Sequence, residues 1–563
     1  MATVRLATTR SLPRGWRHRS GWLTGTAAPH LMGDGLRHPL GELVALLEAR
    51  GLLRSVLAGA STPPSGVVIT HVTQDSRRAG PGVLFVAVSG QHADGHAFAA
   101  AAVAAGSPAI VAERAVPGVA VPQLLVPAAR PALALAASWA AGHPSQRLGV
   151  VGITGTDGKT TTAHLLRGVM GACGQPAGLI GTIDVVVGGR SLGNPGRSTT
   201  PEAPELQDHL AAMVEAGDLF AIVESTSHGL AQERVAEIAY DVAVLTNISH
   251  EHLEFHRTHE AYRAAKRMLF QRLAVGPGNP EKGWGKTAVI NRDDRWADEF
   301  AQAARGAGAT VVTYGAEPAA GADIRAVSVR EDATGTAIAV ETPRWQERVQ
   351  LQLAGRFNVH NALAAIGVAE ALELDPERVI AGLGAVEAVP GRMQRIEAGQ
   401  PFRVIVDYAH TADALAKVLD GLGSLAAAGG GGLIAVFGSA GDRDVLKRPL
   451  MGRVAGQRAR LVVLTDEDPR SEDREAILEE IAAGAEAAGK RRGHDLLLIA
   501  DRGDAIARAT EQARPGDVVV LAGKGHERSI EMADGAIPWD EAGAAREALA
   551  ALGYRGADRT RRA

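Results

Sequence analysis

The chain has 563 residues, 46% of them hydrophobic and 22% charged, and a net charge of −4. That length exceeds one ordinary core and predicts three or four domains. The near-neutral balance gives no sign of a nucleic-acid or membrane surface. A single cysteine, Cys173, excludes an intrachain disulfide and a thiolate metal cluster, and it fits a reducing cytoplasm.

Residues 1–31 carry Arg5, Arg10, Arg14, Arg17 and Arg19 without an acidic residue or a sustained apolar run. They lack the apolar centre of a secretory signal. A transit peptide fits the arginines, but the plainer reading is a disordered extension over 1–32. The first helix is expected in Leu40-Gly-Glu-Leu-Val-Ala-Leu-Leu. No stretch reads as a transmembrane helix, since apolar segments such as 99–111 are alanine-rich and broken by Gly106 and Pro108.

Beyond that point strand-like and helical patterns alternate, which argues α/β domains with largely parallel sheets. Buried-strand runs are expected at 66–70, 83–88 and 109–112, then at 150–153, 219–223, 242–245 and 287–290. A last group falls at 402–406, 433–437, 461–464 and 518–521. Gly142-His-Pro-Ser reads as a linker, and Gly429 to Gly432 as a flexible loop, because no lysine follows it. Function in such sheets sits on the loops after the carboxyl ends of the strands.

One such loop is explicit. Val150-Val-Gly-Ile-Thr-Gly-Thr-Asp-Gly-Lys-Thr-Thr-Thr162 runs from a β-branched strand through glycines into a helical pattern. Gly155 and Gly158 let backbone N–H groups approach a polyphosphate. Lys159 supplies charge, the Thr160 hydroxyl can hold Mg²⁺, and the helix N-terminus favours the anion. Ile153 stands where the standard phosphate-loop pattern has glycine, so the match is imperfect.

Two neighbouring strand ends carry further candidates: Glu224 with Ser225-Thr-Ser-His228, and Thr246-Asn-Ile-Ser-His-Glu-His252. A carboxylate and an imidazole beside a phosphate loop suggest a hard-metal site, although histidine is an unusual Mg²⁺ ligand. His250, His252 and His256 match no standard zinc spacing.

Several ordered motifs carry a resemblance. Thr154-Gly-Thr-Asp-Gly-Lys-Thr-Thr-Thr, Asn247-Ile-Ser-His-Glu-His-Leu-Glu-Phe-His and Asp407-Tyr-Ala-His-Thr-Ala-Asp resemble the Mur ligase family. Asp75-Ser-Arg77, Thr199-Thr-Pro201, Gly391-Arg-Met393, Gly441-Asp-Arg-Asp-Val-Leu-Lys-Arg-Pro-Leu-Met451 and Gly523-Lys-Gly-His-Glu527 extend the match from about Val72 to Leu549. The branch resembled adds the third residue of the peptidoglycan stem peptide.

The resemblance implies an α/β, three-domain architecture: a UDP-MurNAc-binding domain over 33–147, a central P-loop-type ATPase domain over 148–388, and a C-terminal Rossmann-like, amino-acid-binding domain over 389–555, followed by a tail at 556–563. It implies a cytoplasmic, monomeric enzyme that uses ATP and Mg²⁺, acts on small molecules, and binds neither nucleic acid nor membrane. ATP would phosphorylate the D-glutamate γ-carboxylate of UDP-MurNAc-L-Ala-D-Glu, and an amine would attack the acyl phosphate.

The resemblance assigns catalysis to Lys159, Glu224, His252 and Lys266. Thr160, Glu224, His252 and a carbamoylated Lys266 would bind metal. Gly155, Thr156, Asp157, Gly158, Lys159, Thr160, Thr161, Asn291, Arg392 and Asp407 match ATP contacts. Ser76, Gln91, His92 and Ala93 match uridine-nucleotide contacts, and Thr199, Thr200, Thr226, Gln232 and Arg234 match contacts to the MurNAc-dipeptide. Arg443, Glu467, Asp468, Arg470, Gly523 and Glu527 match the amino-acid site. Taken singly, most of these would read as surface hydrogen bonds or caps.

The amino acid itself stays open at this stage. Family members that use meso-diaminopimelate carry Asp-Asn-Pro-Arg where this chain has Glu467-Asp-Pro-Arg470. The retained Arg470 suits a distal carboxylate, whereas Asp468 suits the ammonium of lysine or ornithine. Diaminopimelate is favoured. Asp157 replaces the family's usual Asn, and Glu224-Ser-Thr-Ser-His replaces Glu-Val-Ser-Ser-His. The alternatives are a folylpolyglutamate synthetase-like ligase and a non-catalytic nucleotide-binding scaffold.

Overall fold

A computed structural model describes residues 36–58, 63–90, 93–194, 198–249, 253–274, 285–316, 321–332, 335–353 and 355–555. The expected extension at 1–32, the tail at 556–563, and Gln91, His92 and His252 lie outside the described residues.

The described residues build three principal sheets. The first has five strands in the order Ser55–Leu57, Gln123–Leu125, Ile110–Ala112, Val83–Val86 and His71–Thr73, parallel except at its first pair. The helix expected near residue 40 spans Leu40–Ala49 and buries Leu40, Leu43 and Leu47. Those spacings of three and four place the three leucines on one face.

The central sheet has eleven strands. Its core runs Ala177–Ile180, Phe220–Glu224, Gly149–Thr154, Val242–Leu245, Thr287–Asn291 and Thr310–Gly315, all parallel. Short antiparallel pairs extend one edge, and a meander over Ile324–Asp332, Gly335–Glu341 and Gln346–Leu351 extends the other. Strand Gly149–Thr154 is buried along its whole length because helices cover both faces. Val151 and Ile153 join Leu165, Leu166 and Val169 on one side. Val150 joins Leu206, Leu210 and Phe270 on the other. Fully burying each such side chain stabilises the fold by roughly 1.5–3 kcal/mol.

The third sheet orders Gln394–Ile396, Arg403–Asp407, Val518–Ala522, Leu433–Phe437, Leu461–Leu464 and Leu496–Leu498, parallel after its first pair. The alternation of buried residues again splits it between two cores, Val518 and Val520 on one face, Val519 and Leu521 on the other. The glycine run at 429–432, expected as a flexible loop, is instead seated against Gly516 and Asp517. Gly432 N donates to Asp517 Oδ1 at 2.7 Å, and a Cβ on Gly431 would meet Gly516 at 2.2 Å. Close backbone approach explains these glycines better than mobility does.

The expected mostly parallel α/β organisation is therefore present. No helix among the described residues is long and apolar enough to cross a membrane.

Candidate active site

The loop after strand Gly149–Thr154 enters helix Lys159–Ala172 directly. Gly155 has φ 150°, and a Cβ there would lie 1.8 Å from Thr246 Oγ1, so only glycine lets the loop cross the neighbouring strand end. Gly158, at φ 84°, makes the left-handed turn into the helix. The loop is fixed from the same neighbour. Thr156 N donates to Asn247 O at 2.8 Å, Asp157 N to Asn247 Oδ1 at 3.0 Å, and Thr246 Oγ1 to Asp157 O at 2.6 Å. Thr160 and Thr161 follow in the first helical turn and are buried.

Lys159 Nζ folds back on the loop, donating to Gly155 O and Thr156 O at 2.8 Å each. Lys266, on helix His259–Gln271, reaches the same place from the other side: its Nζ donates to Gly155 O at 2.6 Å and lies 4.6 Å from the centre of the Tyr262 ring. Lys266 is only 2% exposed. The Tyr262 hydroxyl bonds Thr156 Oγ1 at 2.9 Å. Both lysines expected from sequence thus converge on the phosphate loop.

Glu224 ends its strand fully buried beside the loop. Its carboxylate accepts three neutral donors: Thr160 Oγ1 at 2.9 Å, Thr182 Oγ1 at 3.0 Å and Thr182 N at 3.0 Å. Thr182 is also joined to Thr199 Oγ1 at 3.0 Å. Thr200 donates to Glu224 O at 2.8 Å and meets Thr226 Oγ1 at 3.0 Å. Thr160, Glu224, Thr199, Thr200 and Thr226 therefore form one continuous hydroxyl–carboxylate network.

Arg234 stands at its end. It donates to Ser198 Oγ at 3.1 Å, to Thr200 O at 2.8 Å and to Gln232 Oε1 at 2.8 Å, and it pairs with Glu202 at 2.9 Å. Ser76 lies in the first sheet's domain, in a turn held by Asp75, which accepts Arg77 N at 3.0 Å; Ala93 is exposed. The Arg77 guanidinium, against burial, holds the Asp75 carboxyl below its ordinary range.

Two expected ATP contacts are already engaged within the protein. Asn291 Nδ2 donates to Thr246 O at 2.7 Å, and its Oδ1 accepts Asp293 N at 3.0 Å. Asp407 accepts Met393 N at 2.8 Å and Ala409 N at 2.9 Å, while burial raises its carboxyl. Its evident work is to fix the loop that carries Arg392, whose guanidinium lies 4.8 Å from the Tyr408 ring centre. Arg392 Nε is buried without a hydrogen-bond partner among the described residues.

The third sheet's domain meets the phosphate loop at Asp157. Lys417, on helix Ala412–Ala428, donates to Asp157 Oδ2 at 2.8 Å. In the same domain, burial together with Arg392 pushes the His526 imidazole down to about 3. Burial alone would raise Asp157, but Lys417, Lys159 and Arg392 hold it below the usual carboxylate range.

The expected amino-acid residues cluster at the strand ends of the third sheet. Lys524 is fully buried, and its Nζ donates to Asp468 Oδ1 at 2.7 Å and Glu527 Oε2 at 2.5 Å. Asp468 Oδ1 also accepts Glu531 N at 2.9 Å, and Tyr408 OH donates to Glu527 Oε1 at 3.2 Å. Glu467 Oε2 is buried with no hydrogen-bond partner among the described residues, and it faces Gly523, where a Cβ would meet it at 3.3 Å. Arg470 has φ 55° and donates its N–H to Glu531 O. Arg443 is exposed on its loop.

Thr182, Tyr262, Lys417 and the pairing of Lys524 were not singled out by sequence reasoning. Lys524 sits inside a quoted motif, and Tyr262 stands four residues before Lys266. Thr182 follows a four-residue strand, Ala177–Ile180, whose glycine-bearing sequence does not stand out. Lys417 carries no local signal, because its partner is 260 residues away.

Known proteins share this arrangement. Residues 68–140 match the model for the Mur ligase family, catalytic domain, residues 153–369 the Mur ligase middle domain, and residues 391–525 the Mur ligase, glutamate ligase domain. A UDP-N-acetylmuramyl-tripeptide synthetase of Roseiflexus sp. (strain RS-1) is 49% identical over 511 residues, covering 90% of this chain and 99% of that protein. A UDP-N-acetylmuramoyl-L-alanyl-D-glutamate--2,6-diaminopimelate ligase of Geobacillus kaustophilus is 41% identical, covering 85% and 95%. A solved structure of a ligase with that same description superposes with a TM-score of 0.61 at 32% identity, covering 88% of this chain and 97% of the other.

Proposed function

The chain belongs to the Mur ligase family of ATP-dependent amide ligases, and we propose that it joins meso-diaminopimelate to the D-glutamate γ-carboxylate of UDP-MurNAc-L-Ala-D-Glu in the cytoplasm, as a monomer, during peptidoglycan synthesis. The domain limits at 147/148 and 388/389 belong to this proposal.

The observation that carries the amino-acid choice is the capture of Asp468 by Lys524. A free Asp468 carboxylate would suit the side-chain ammonium of lysine or ornithine. Here its charge is met by a buried ammonium and a backbone N–H. Arg470 then remains as the group suited to a distal carboxylate, which only diaminopimelate carries. The buried, unpartnered Glu467 oxygen suits the amine of the same ligand.

In the reaction, the substrate carboxylate attacks the γ-phosphorus of ATP and ADP leaves. The amine then attacks the acyl phosphate, loses a proton, and phosphate departs. The loop 155–161 would cradle the phosphates, and Lys159 would exchange its loop carbonyls for phosphate oxygens. Thr199, Thr200, Thr226, Gln232 and Arg234 would orient the dipeptide carboxylate, and Ser76, Gln91, His92 and Ala93 the uridine nucleotide. Asn291 and Arg392 would contact ATP, with Asp407 fixing the loop of Arg392.

The buried Glu224 carboxylate, bonded through neutral donors and adjoined by Thr160, fits Mg²⁺, a hard cation that takes oxygen ligands and keeps positions for substrate phosphates. Thr160, Glu224, His252 and a carbamoylated Lys266 would hold it. When bound, it supplies charge neutralisation for the migrating phosphoryl group.

Phosphate release with UDP-MurNAc-L-Ala-D-Glu, ATP and Mg²⁺, offering meso-diaminopimelate, L-lysine and L-ornithine in parallel, tests this reading. Turnover confined to diaminopimelate is expected. Turnover with lysine or ornithine would overturn the amino-acid choice, and silence with all three in folded protein would overturn the cell-wall reading.

A further inference from the structure

The phosphate loop of this chain carries an acid that works against its proposed ligand. Asp157 lies two residues before Lys159, inside the loop expected to receive a polyanion. The loop cannot swing it away, because Asp157 N and O are both tied to Thr246 and Asn247. Lys159 compensates it only in part, since its ammonium donates to Gly155 O and Thr156 O and not to the carboxylate. The direct ion-pair partner comes from the third sheet's domain. Lys417 Nζ sits 2.8 Å from Asp157 Oδ2, with side-chain exposures of 53% and 44%.

We infer that Lys417 is a positioning residue that couples nucleotide affinity to docking of the C-terminal domain: only when helix Ala412–Ala428 lies against the loop is the charge of Asp157 cancelled and the cradle receptive to a nucleoside triphosphate. The inference rests on the reading that loop 155–161 holds the ATP phosphates. Its logic is electrostatic. An uncompensated carboxylate at the mouth of the cradle repels the phosphates, and the repulsion is screened by salt because the pair is half exposed. The helix that brings Lys417 belongs to the domain that carries the amino-acid site, so ATP would bind tightly to the arrangement in which both substrates can meet.

The test is calorimetric titration of the full chain with a non-hydrolysable ATP analogue, using the unsubstituted protein, Lys417→Met, Asp157→Asn and the double variant. Lys417→Met is expected to weaken binding roughly fivefold, the scale of an exposed ion pair. The loss should shrink in high salt, and Lys417→Arg should restore affinity. In the Asp157→Asn background the same Lys417→Met change should cost nothing, because there is no charge left to cancel. In turnover, the KM for ATP should rise in Lys417→Met while kcat at saturating ATP holds. An equal loss in both backgrounds, or none in the Asp157 background, overturns the inference while leaving the ATP reading intact. Failure of the unsubstituted protein to bind the analogue overturns both.

Discussion

Lys159 and Lys266 donate to one acceptor, the Gly155 carbonyl oxygen, at 2.8 and 2.6 Å. Two ammonium groups on one oxygen repel, and Lys266 is almost fully buried, so desolvation adds to that cost. Carbamoylation of Lys266 would replace one of the cations with an anion and turn the repulsion into attraction. Enzyme stripped of carbon dioxide should therefore lose turnover and regain it when bicarbonate is added. Lys266→Ala should fall by roughly a hundredfold, the scale of a disrupted metal shell, and should not respond to bicarbonate. Indifference of the unsubstituted enzyme to bicarbonate would sink the carbamate.

Thr182 holds both oxygens of Glu224, one through its backbone N–H and one through its hydroxyl. Thr182→Val keeps the volume and the backbone bond but removes the hydroxyl. Loss of that buried hydrogen bond should cost about 1–3 kcal/mol. The effect should appear as a raised Mg²⁺ requirement in turnover, with thermal stability changed far less than for Glu224→Ala. A Mg²⁺ titration identical to that of the unsubstituted enzyme would show that Thr182 does not orient the carboxylate.

How much of this was readable in advance depends on the kind of pattern. Strands such as Val242–Leu245 and Leu433–Phe437 are short, apolar and buried on both faces, so their sequences announce them. The meander over Ile324–Leu351 does not, because it is half exposed and alternates charged residues such as Arg325, Arg330 and Arg348 with buried Ile338, Val340 and Val349. The phosphate loop and Glu224 were legible because strand ends and glycines mark them. Thr182 and Lys417 were not, since each acts through a partner that only the tertiary fold brings near. The acidity of Asp468 suits lysine or ornithine in the sequence alone, and its ion pair with Lys524 is visible only in the tertiary fold.

Lys524 serves two carboxylates from a fully buried position. Lys524→Met leaves Asp468 and Glu527 without their cation and should destabilise the protein by roughly 3–5 kcal/mol, read as a lowered unfolding midpoint. Asp468→Asn, by contrast, should keep the preference for diaminopimelate, because the charge it removes is not offered to the substrate. Arg470→Ala should lose that preference. A switch to lysine in Asp468→Asn would contradict the assignment.

Two half-buried histidines set an acid limit on the fold. Burial, reinforced by Arg167, holds His164 down to about 4, and burial with Arg392 and Lys524 holds His526 down to about 3. Both imidazoles are neutral in the folded protein. In the unfolded chain they protonate near 6.5, so below that pH the unfolded state binds more protons and gains on the folded one. Stability should be flat above about pH 7 with respect to these groups and should fall as the pH drops from about 6.5 toward 4. At pH 5 each should cost roughly 2 kcal/mol. Urea unfolding across this range should show the decline, and His526→Gln, which cannot protonate, should flatten it by about half. A slope unchanged in His526→Gln would mean that the surrounding protein does not hold this imidazole neutral.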